Sequence, residues 1–172
     1  MRAGQGSGAE QGKAGRPRPG RMGSGQGRER VGFVLASLHV GASLEVWPAV
    51  AREAEKADVD LFCFPGGRIG LRAGHEASRN AAYELAARAP LDGILVWSSS
   101  LCGTADAAEV DRFIDRYRDL PLVSLSTGVT GVPLVSIDYY QGMRDAVRHV
   151  IRVHGFRQLA FLRGPDGHPG AA

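Results

Sequence analysis

Residues 135–165 read VSIDYYQGMRDAVRHVIRVHGFRQLAFLRGP, and this stretch decides the fold. A short apolar strand ends at Ile137, and a polar hinge follows at Asp138. The next residues place Tyr140, Met143, Val147, Val150, Ile151 and His154 at helical spacing, an apolar stripe about four turns long. Gly155 can adopt the left-handed conformation that ends helices. QLAFL (158–162) then reads as another strand. Strand, hinge, helix and strand in this order predict a chain crossing from one lobe into a second. Only seven residues follow Pro165. The expectation is therefore an incomplete second lobe over 139–172, whose apolar faces need a partner.

Upstream, the same grammar repeats. VGFVLAS (31–37), VDLFCF (59–64), LDGILVW (91–97), LPLVSLS (120–126) and PLVSI (133–137) are nearly continuous apolar runs. Such runs mark strands covered on both faces. Helical stretches fill most gaps. Leu44, Trp47, Val50, Ala51 and Ala54 share one face, with Ser43 expected as the N-cap. An Ala-rich helix is expected from about Glu76 to Arg88, and another carries Val110, Phe113, Ile114 and Tyr117. The gap 127–132 is too short for a helix and predicts a turn at Gly128 or Gly131. The fold class is α/β: a Rossmann-like parallel sheet flanked by helices, spanning 31–138, with right-handed crossovers.

Residues 1–30 differ in kind. They hold nine Gly, seven Arg or Lys and two Glu, a balance of +5. Residues 31–172 hold fourteen basic and sixteen acidic groups, a balance of −2. The first segment has too little apolar surface to offset the entropy of ordering it, so a disordered tail is expected. It has no aromatic residue to stack on a base. The near-neutral remainder gives no electrostatic case for nucleic acid. No apolar run reaches the ~18 residues of a membrane span, and the N-terminus lacks the apolar core of a secretory signal. Cys63 and Cys102 stand 39 positions apart with no CxxC pair, so zinc and dithiol chemistry have no support. A reduced, cytoplasmic protein is expected.

Catalytic motifs are missing. The loop SLHVGAS (37–43) lacks GxGxxG, and PGGRIG (65–70) has neither Walker spacing nor GK[ST]. No GxSxG elbow surrounds Ser98, Ser99 and Ser100. His149 and His154 lie five apart, which on a helix keeps them off one face, and no metal or cofactor is expected. His154 reads as a last-turn residue whose charge suits the helix C-terminus. Asp58, Asp60 and Asp92 begin or precede strands, at the wrong sheet edge for chemistry. Open parallel sheets bind ligands beyond the carboxyl ends of their strands. Those ends offer Ser37, His39, Arg68, Ser98, Ser99, Ser126, Thr127, Asp138 and Tyr139. Hydroxyls, a carboxylate, a guanidinium and an aromatic ring suit a polar, hydroxyl-rich small molecule such as a sugar.

LDGILVW resembles a strand of the LacI/GalR-type regulators and their periplasmic-binding-protein-like sensor domains. The stretch 135–165 resembles that family's lobe crossover, with Asp138, Gly142, Ala146, His149, Gly155, Arg157 and Gly164 at family positions. The resemblance covers roughly 31–169. It implies two Rossmann-like lobes closing on a small effector, often a sugar or nucleoside, in a homodimer without catalysis. It also implies that the loop after the first strand and the Asp138–Tyr139 segment face the ligand or hinge. Two departures stand out. The family's DNA-binding helix-turn-helix is replaced here by the Gly/Arg segment, so DNA contact is expected only through a helix-turn-helix absent from this chain. The second lobe stops after one strand, as in a fragment, an early stop or a split gene. Relatives that couple the lobes to a kinase or cyclase output are an alternative, as is a sugar-processing enzyme on the same scaffold.

Overall fold

The computed structural model describes residues 27–71, 74–103 and 105–162. The expected disordered tail falls almost wholly outside these residues, as does the segment after 162.

All five apolar runs form strands of one parallel sheet: β1 (Arg30–Leu35), β2 (Asp60–Pro65), β3 (Gly93–Trp97), β4 (Leu122–Leu125) and β5 (Leu134–Val135). Their order is β2-β1-β3-β4-β5. The chain winds outward from β1 to β2, then returns past β1 to build β3, β4 and β5. The winding thus reverses between β1 and β3, the place where such sheets open a crevice. β1 begins at Arg30, one residue before the expected start. Arg28 reaches Asp58 at 2.8 Å and Asp60 at 3.3 Å, and the Arg30 amide donates to Asp92 at 2.9 Å. The acids at the amino edge are thus used to anchor the start of the sheet. The turn into β5 falls at Gly131, whose φ of 70° suits a residue without a Cβ.

Register sorts the side chains by face. Val34 lies beside Val96 and Phe64, and Val96 beside Ser124. Side chains alternate along a strand, so Val34, Ile94 and Val96 point one way and Phe33, Leu35, Leu95 and Trp97 the other. Helices α3 (Ala81–Arg88) and α5 (Ala107–Ile114) close the first face. There Tyr83, Ala86, Val110, Phe113, Ile114 and Tyr117 join the sheet residues in one buried core. Tyr83 and Phe113 meet edge to face at 4.9 Å between centroids, a geometry favoured by the ring quadrupoles. The second face is closed unevenly. Helix α1 (Ser43–Lys56) packs toward β2, and Phe33 and Leu35 are fully buried. Leu95, Trp97, Val123 and Leu125 are only half-buried, and Val135 is exposed.

Local corrections follow from hydrogen bonding. Ser43 is the first residue of α1, not its cap; the cap position is Ala42. The Ser43 hydroxyl instead closes the preceding turn by donating to the Val40 carbonyl, and it accepts from the Val40 amide at 3.2 Å. The Ala-rich helix is two helices, α2 (His75–Arg79) and α3, parted at Asn80. An additional short helix, α4 (Ser98–Leu101), follows β3. The capping box before α5 is complete: the Glu109 amide donates to Asp106 at 2.8 Å, and the Asp106 amide to Glu109 at 3.1 Å.

The crossover helix forms as expected, as α6 (Tyr139–Arg152), and Gly155 follows it with φ 71°. None of its residues is buried. QLAFL is not a strand. Residues 158–162 pair with no strand among the described residues, and Leu159, Phe161 and Leu162 are exposed. An apolar run becomes a strand only where a neighbour takes its N–H and C=O groups, and here none lies alongside. His154 is likewise not in the last turn. It lies beyond Arg152, and its ring meets that of His149.

Candidate functional site

The carboxyl edge of the sheet is one hydrogen-bonded rim. At β2 the chain turns through Gly66 and Gly67, whose amides donate to Leu35 at 3.1 Å and Ala36 at 2.9 Å. The Ala36 amide then donates across the reversal point to the Ser100 hydroxyl at 3.1 Å, and that hydroxyl donates to the Trp97 carbonyl at 2.7 Å. Beyond β4, the Ser126 amide donates to Val135 at 2.8 Å, and its hydroxyl lies 3.2 Å from the Tyr139 hydroxyl. Ser126 holds a φ of 76°, unusual for a residue with a Cβ.

Three side chains from α2, α3 and the residue between them support this edge from beneath. Arg79 donates to the Ala36 and Pro65 carbonyls at 3.3 and 3.2 Å. Asn80 donates to Gly66 at 2.7 Å and Arg68 at 3.1 Å. The Tyr83 hydroxyl sits between the carbonyls of Leu35 and Gly67. A Cβ at Gly66 would run into the Tyr83 ring, so the loop passes this close only because that residue is glycine. Burial foremost, with the Tyr117 phenol adding, pushes the Tyr83 phenol well above its ordinary value. Sequence reasoning missed this support. Its one signal is that Tyr83 is the sole large ring in an Ala-rich helix.

The expected ligand residues divide by exposure. Ser37 is half-buried; its hydroxyl accepts from the His39 amide at 3.3 Å and lies 3.5 Å from His39 Nδ1, with His39 exposed. Arg68 is exposed, and its amide donates to Glu76 at 3.2 Å. Ser99 and Thr127 are half-buried on the edge. Asp138 and Tyr139 are exposed where the edge runs into α6, and Asp138 caps that helix by accepting from the Gln141 amide at 2.8 Å. Ser98 differs from the rest. It is fully buried, and its one hydroxyl proton goes to Leu125 or Thr127, both at 2.8 Å. It also accepts from the Thr127 amide at 3.2 Å and the Ser124 hydroxyl at 2.9 Å. Its polar capacity is spent tying β3 to β4, which takes it away from any ligand.

The edge is open on its outer side. Two clefts lie elsewhere: one of about 370 Å³ between α3 and α5, lined in part by Glu84, Glu109 and Arg116, and one of about 520 Å³ at the amino ends of β4 and β5. Neither includes an expected ligand residue. Among the described residues no three His, Cys, Asp or Glu side chains gather as a metal site, and no helix is long and apolar enough to cross a membrane.

No protein-family model and no curated protein matches the sequence. Solved structures do match. A lac repressor dimer bound to operator and the anti-inducer ONPF superposes with a TM-score of 0.63 at 20% identity, over 86% of this chain and 48% of that one. A periplasmic binding protein/LacI transcriptional regulator from Alkaliphilus metalliredigens, complexed with D-xylulofuranose, matches with a TM-score of 0.58 at 18% identity, over 83% and 48%. GanP, a glucose-galactose binding protein from Geobacillus stearothermophilus, matches with a TM-score of 0.59 at 20% identity, over 85% and 50%. The likeness is one of fold: the parallel sheet and its flanking helices form a periplasmic-binding-protein-like lobe. It spans about half the length of the structures it matches.

Proposed function

We propose that this chain supplies one lobe of a LacI-type effector sensor that closes on a sugar or similarly hydroxylated small molecule. The observation that carries the reading is the row of open polar groups along the carboxyl edge. Across the sheet, Arg68 after β2, Ser37 and His39 after β1, Ser99 after β3, Thr127 after β4, and Asp138 and Tyr139 at the start of α6 stand along an edge pinned strand to strand. Donors and acceptors at such an edge bond hydroxyls, and the Tyr139 ring covers an apolar sugar face. The edge is one wall, and α6 leads away from it toward the place of a second. In this reading 31–138 is the first lobe, 139–172 opens the second, and closure of the two commits the ligand. The fold relatives are regulators and binding proteins, which supports a sensing role without catalysis. The free thiols Cys63 and Cys102, both pushed up by burial, fit a reduced cytoplasm, and a homodimer is the proposed assembly.

The test is calorimetry against a panel of mono- and disaccharides. The 172-residue chain should bind weakly or not at all, and the chain joined to a complete second lobe should bind. Asp138→Ser separates the two roles of that residue, because serine still caps a helix while removing the carboxylate. In the two-lobed protein it should weaken binding about tenfold or more, as loss of a charged hydrogen bond does, with α6 intact by circular dichroism. Undiminished binding in Asp138→Ser would remove the carboxylate from the site.

A further inference from the structure

His149 and His154 meet because of a turn, since helical spacing alone would part them. The Val153 amide donates to the His149 carbonyl at 2.8 Å, and Gly155 reverses the chain with φ 71°. His154 Nε2 thereby comes within 3.1 Å of His149 Nε2, the rings standing edge to face with centroids 4.9 Å apart. Phe156 stacks behind His154 at 6.1 Å, and Arg157 donates to the Ile151 carbonyl at 3.2 Å, holding the outgoing segment against the helix. Both imidazoles are exposed to solvent.

Two neutral imidazoles with their Nε2 atoms together form a bidentate donor pair. With metal–nitrogen bonds of about 2.0–2.1 Å, a tetrahedral ion sets its nitrogen donors about 3.3 Å apart and a square-planar ion about 2.9 Å. The observed separation lies between these. The C-terminal end of α6 adds the negative pole of the helix dipole. Of the cationic neighbours, Arg148 is drawn to Asp145 at 3.3 Å and Arg157 to the Ile151 carbonyl.

We propose that His149 and His154 form a two-imidazole site for a borderline divalent transition-metal ion such as Zn²⁺ or Ni²⁺, with water completing the coordination. The ion would clip the turn after α6 and fix the direction in which the chain leaves it. Imidazole donors select Zn²⁺, Cu²⁺ and Ni²⁺, whereas Mg²⁺ and Ca²⁺ require oxygen. The site stands apart from the ligand edge, so the sensing reading can fail while this one holds.

The experiment titrates ZnCl₂ into the full chain, followed by calorimetry and by the imidazole resonances in NMR. One Zn²⁺ per chain is expected, with the His149 and His154 resonances moving together and those of His39 and His75 unchanged. His149→Gln and His154→Gln should each lower affinity about tenfold or more, because each reduces two-point attachment to one. MgCl₂ should move neither ring. Equal affinity in either single variant, response confined to His39, His75 or His168, or no binding at millimolar Zn²⁺ would overturn the proposal. The last result would leave the pair as an N–H···N hydrogen bond only. Both variants change exposed side chains, and the wild-type resonances decide the matter even if one fails to fold.

Discussion

Helices α5 and α6 carry the same kind of sequence and meet opposite surroundings. In α5, Val110, Phe113 and Ile114 repeat at helical spacing and are 3%, 8% and 0% exposed. In α6, Tyr140, Met143 and Val147 repeat in the same way and are 76%, 49% and 39% exposed. Periodicity makes both helices and gives both an apolar side. It does not provide the surface that side packs against. Helix α5 has the Val34, Ile94 and Val96 face and the Tyr83 ring. Among the described residues, helix α6 is tied to the sheet edge through the Tyr139 hydroxyl, 3.2 Å from that of Ser126. Burying a large apolar side chain contributes about 1.5–3 kcal/mol, a contribution that α5 collects and α6 does not.

The sharpest way to break this comparison is to place a charge on each helix. Ile114→Asp should abolish cooperative unfolding, since an unpaired buried carboxylate costs several kcal/mol or more. Val147→Asp should change stability by no more than about 0.5 kcal/mol, as surface substitutions do. Urea unfolding followed by circular dichroism measures both. A large loss in Val147→Asp would mean that α6 is packed in solution.

Truncation gives a smaller, graded version. Phe113→Ala should cost about 3–5 kcal/mol, and Met143→Ala about 0.5 kcal/mol or less. Leu95→Ala should fall between them in the same unfolding series, because Leu95 lies on the sheet face that is only half closed.

Within the edge, Ser98→Ala should cost about 0.5–1.5 kcal/mol, the net worth of a lost hydrogen bond, because the Thr127 amide keeps the Leu125 carbonyl and the Thr127 carbonyl keeps the Ser124 hydroxyl. Ser99→Ala should stay within about 0.5 kcal/mol. Similar losses in the two would contradict the inward placement of Ser98.

The effect smallest near neutrality is one of pH. Burial raises the phenols of both Tyr83 and Tyr117 above their ordinary value. The folded state therefore keeps protons that the unfolded state gives up. Their contribution is fully present below the unfolded phenol value, about pH 10, and is lost as pH rises from there toward the raised folded values. Unfolding midpoints should begin to fall near pH 9, where the raised Cys63 and Cys102 thiols act in the same sense, and should steepen above about pH 10, where Tyr83→Phe falls less steeply than the unsubstituted chain. An unchanged slope in that variant would show that Tyr83 takes no part.

The sheet was legible because its five strands are apolar runs between turn residues, and α6 because its stripe is long and stopped by Gly155. What could not be read was everything that depends on a neighbour. QLAFL has the composition of a strand and no strand beside it. Ser98 and Ser99 are the same residue type in adjacent positions, and only the approach of β4 turns one inward. The separation of α2 from α3 comes at Asn80, whose amide faces loop carbonyls distant in sequence. His149 and His154 look misplaced on a helical wheel because the wheel does not know that the helix has ended. The row of open edge residues was legible from strand ends alone, since a parallel sheet delivers every carboxyl end to one side.

The left-handed backbone of Ser126, with φ 76°, has a cost. A non-glycine residue held there costs about 1 kcal/mol or more, and glycine would relieve it. Ser126→Gly would also delete the hydroxyl beside Tyr139. The position thus trades thermal robustness for a fixed pose of the Tyr139 ring where the sheet edge runs into α6. A stability screen of this protein should therefore recover glycine at 126 readily, and the variants it selects would hold the Tyr139 ring less firmly.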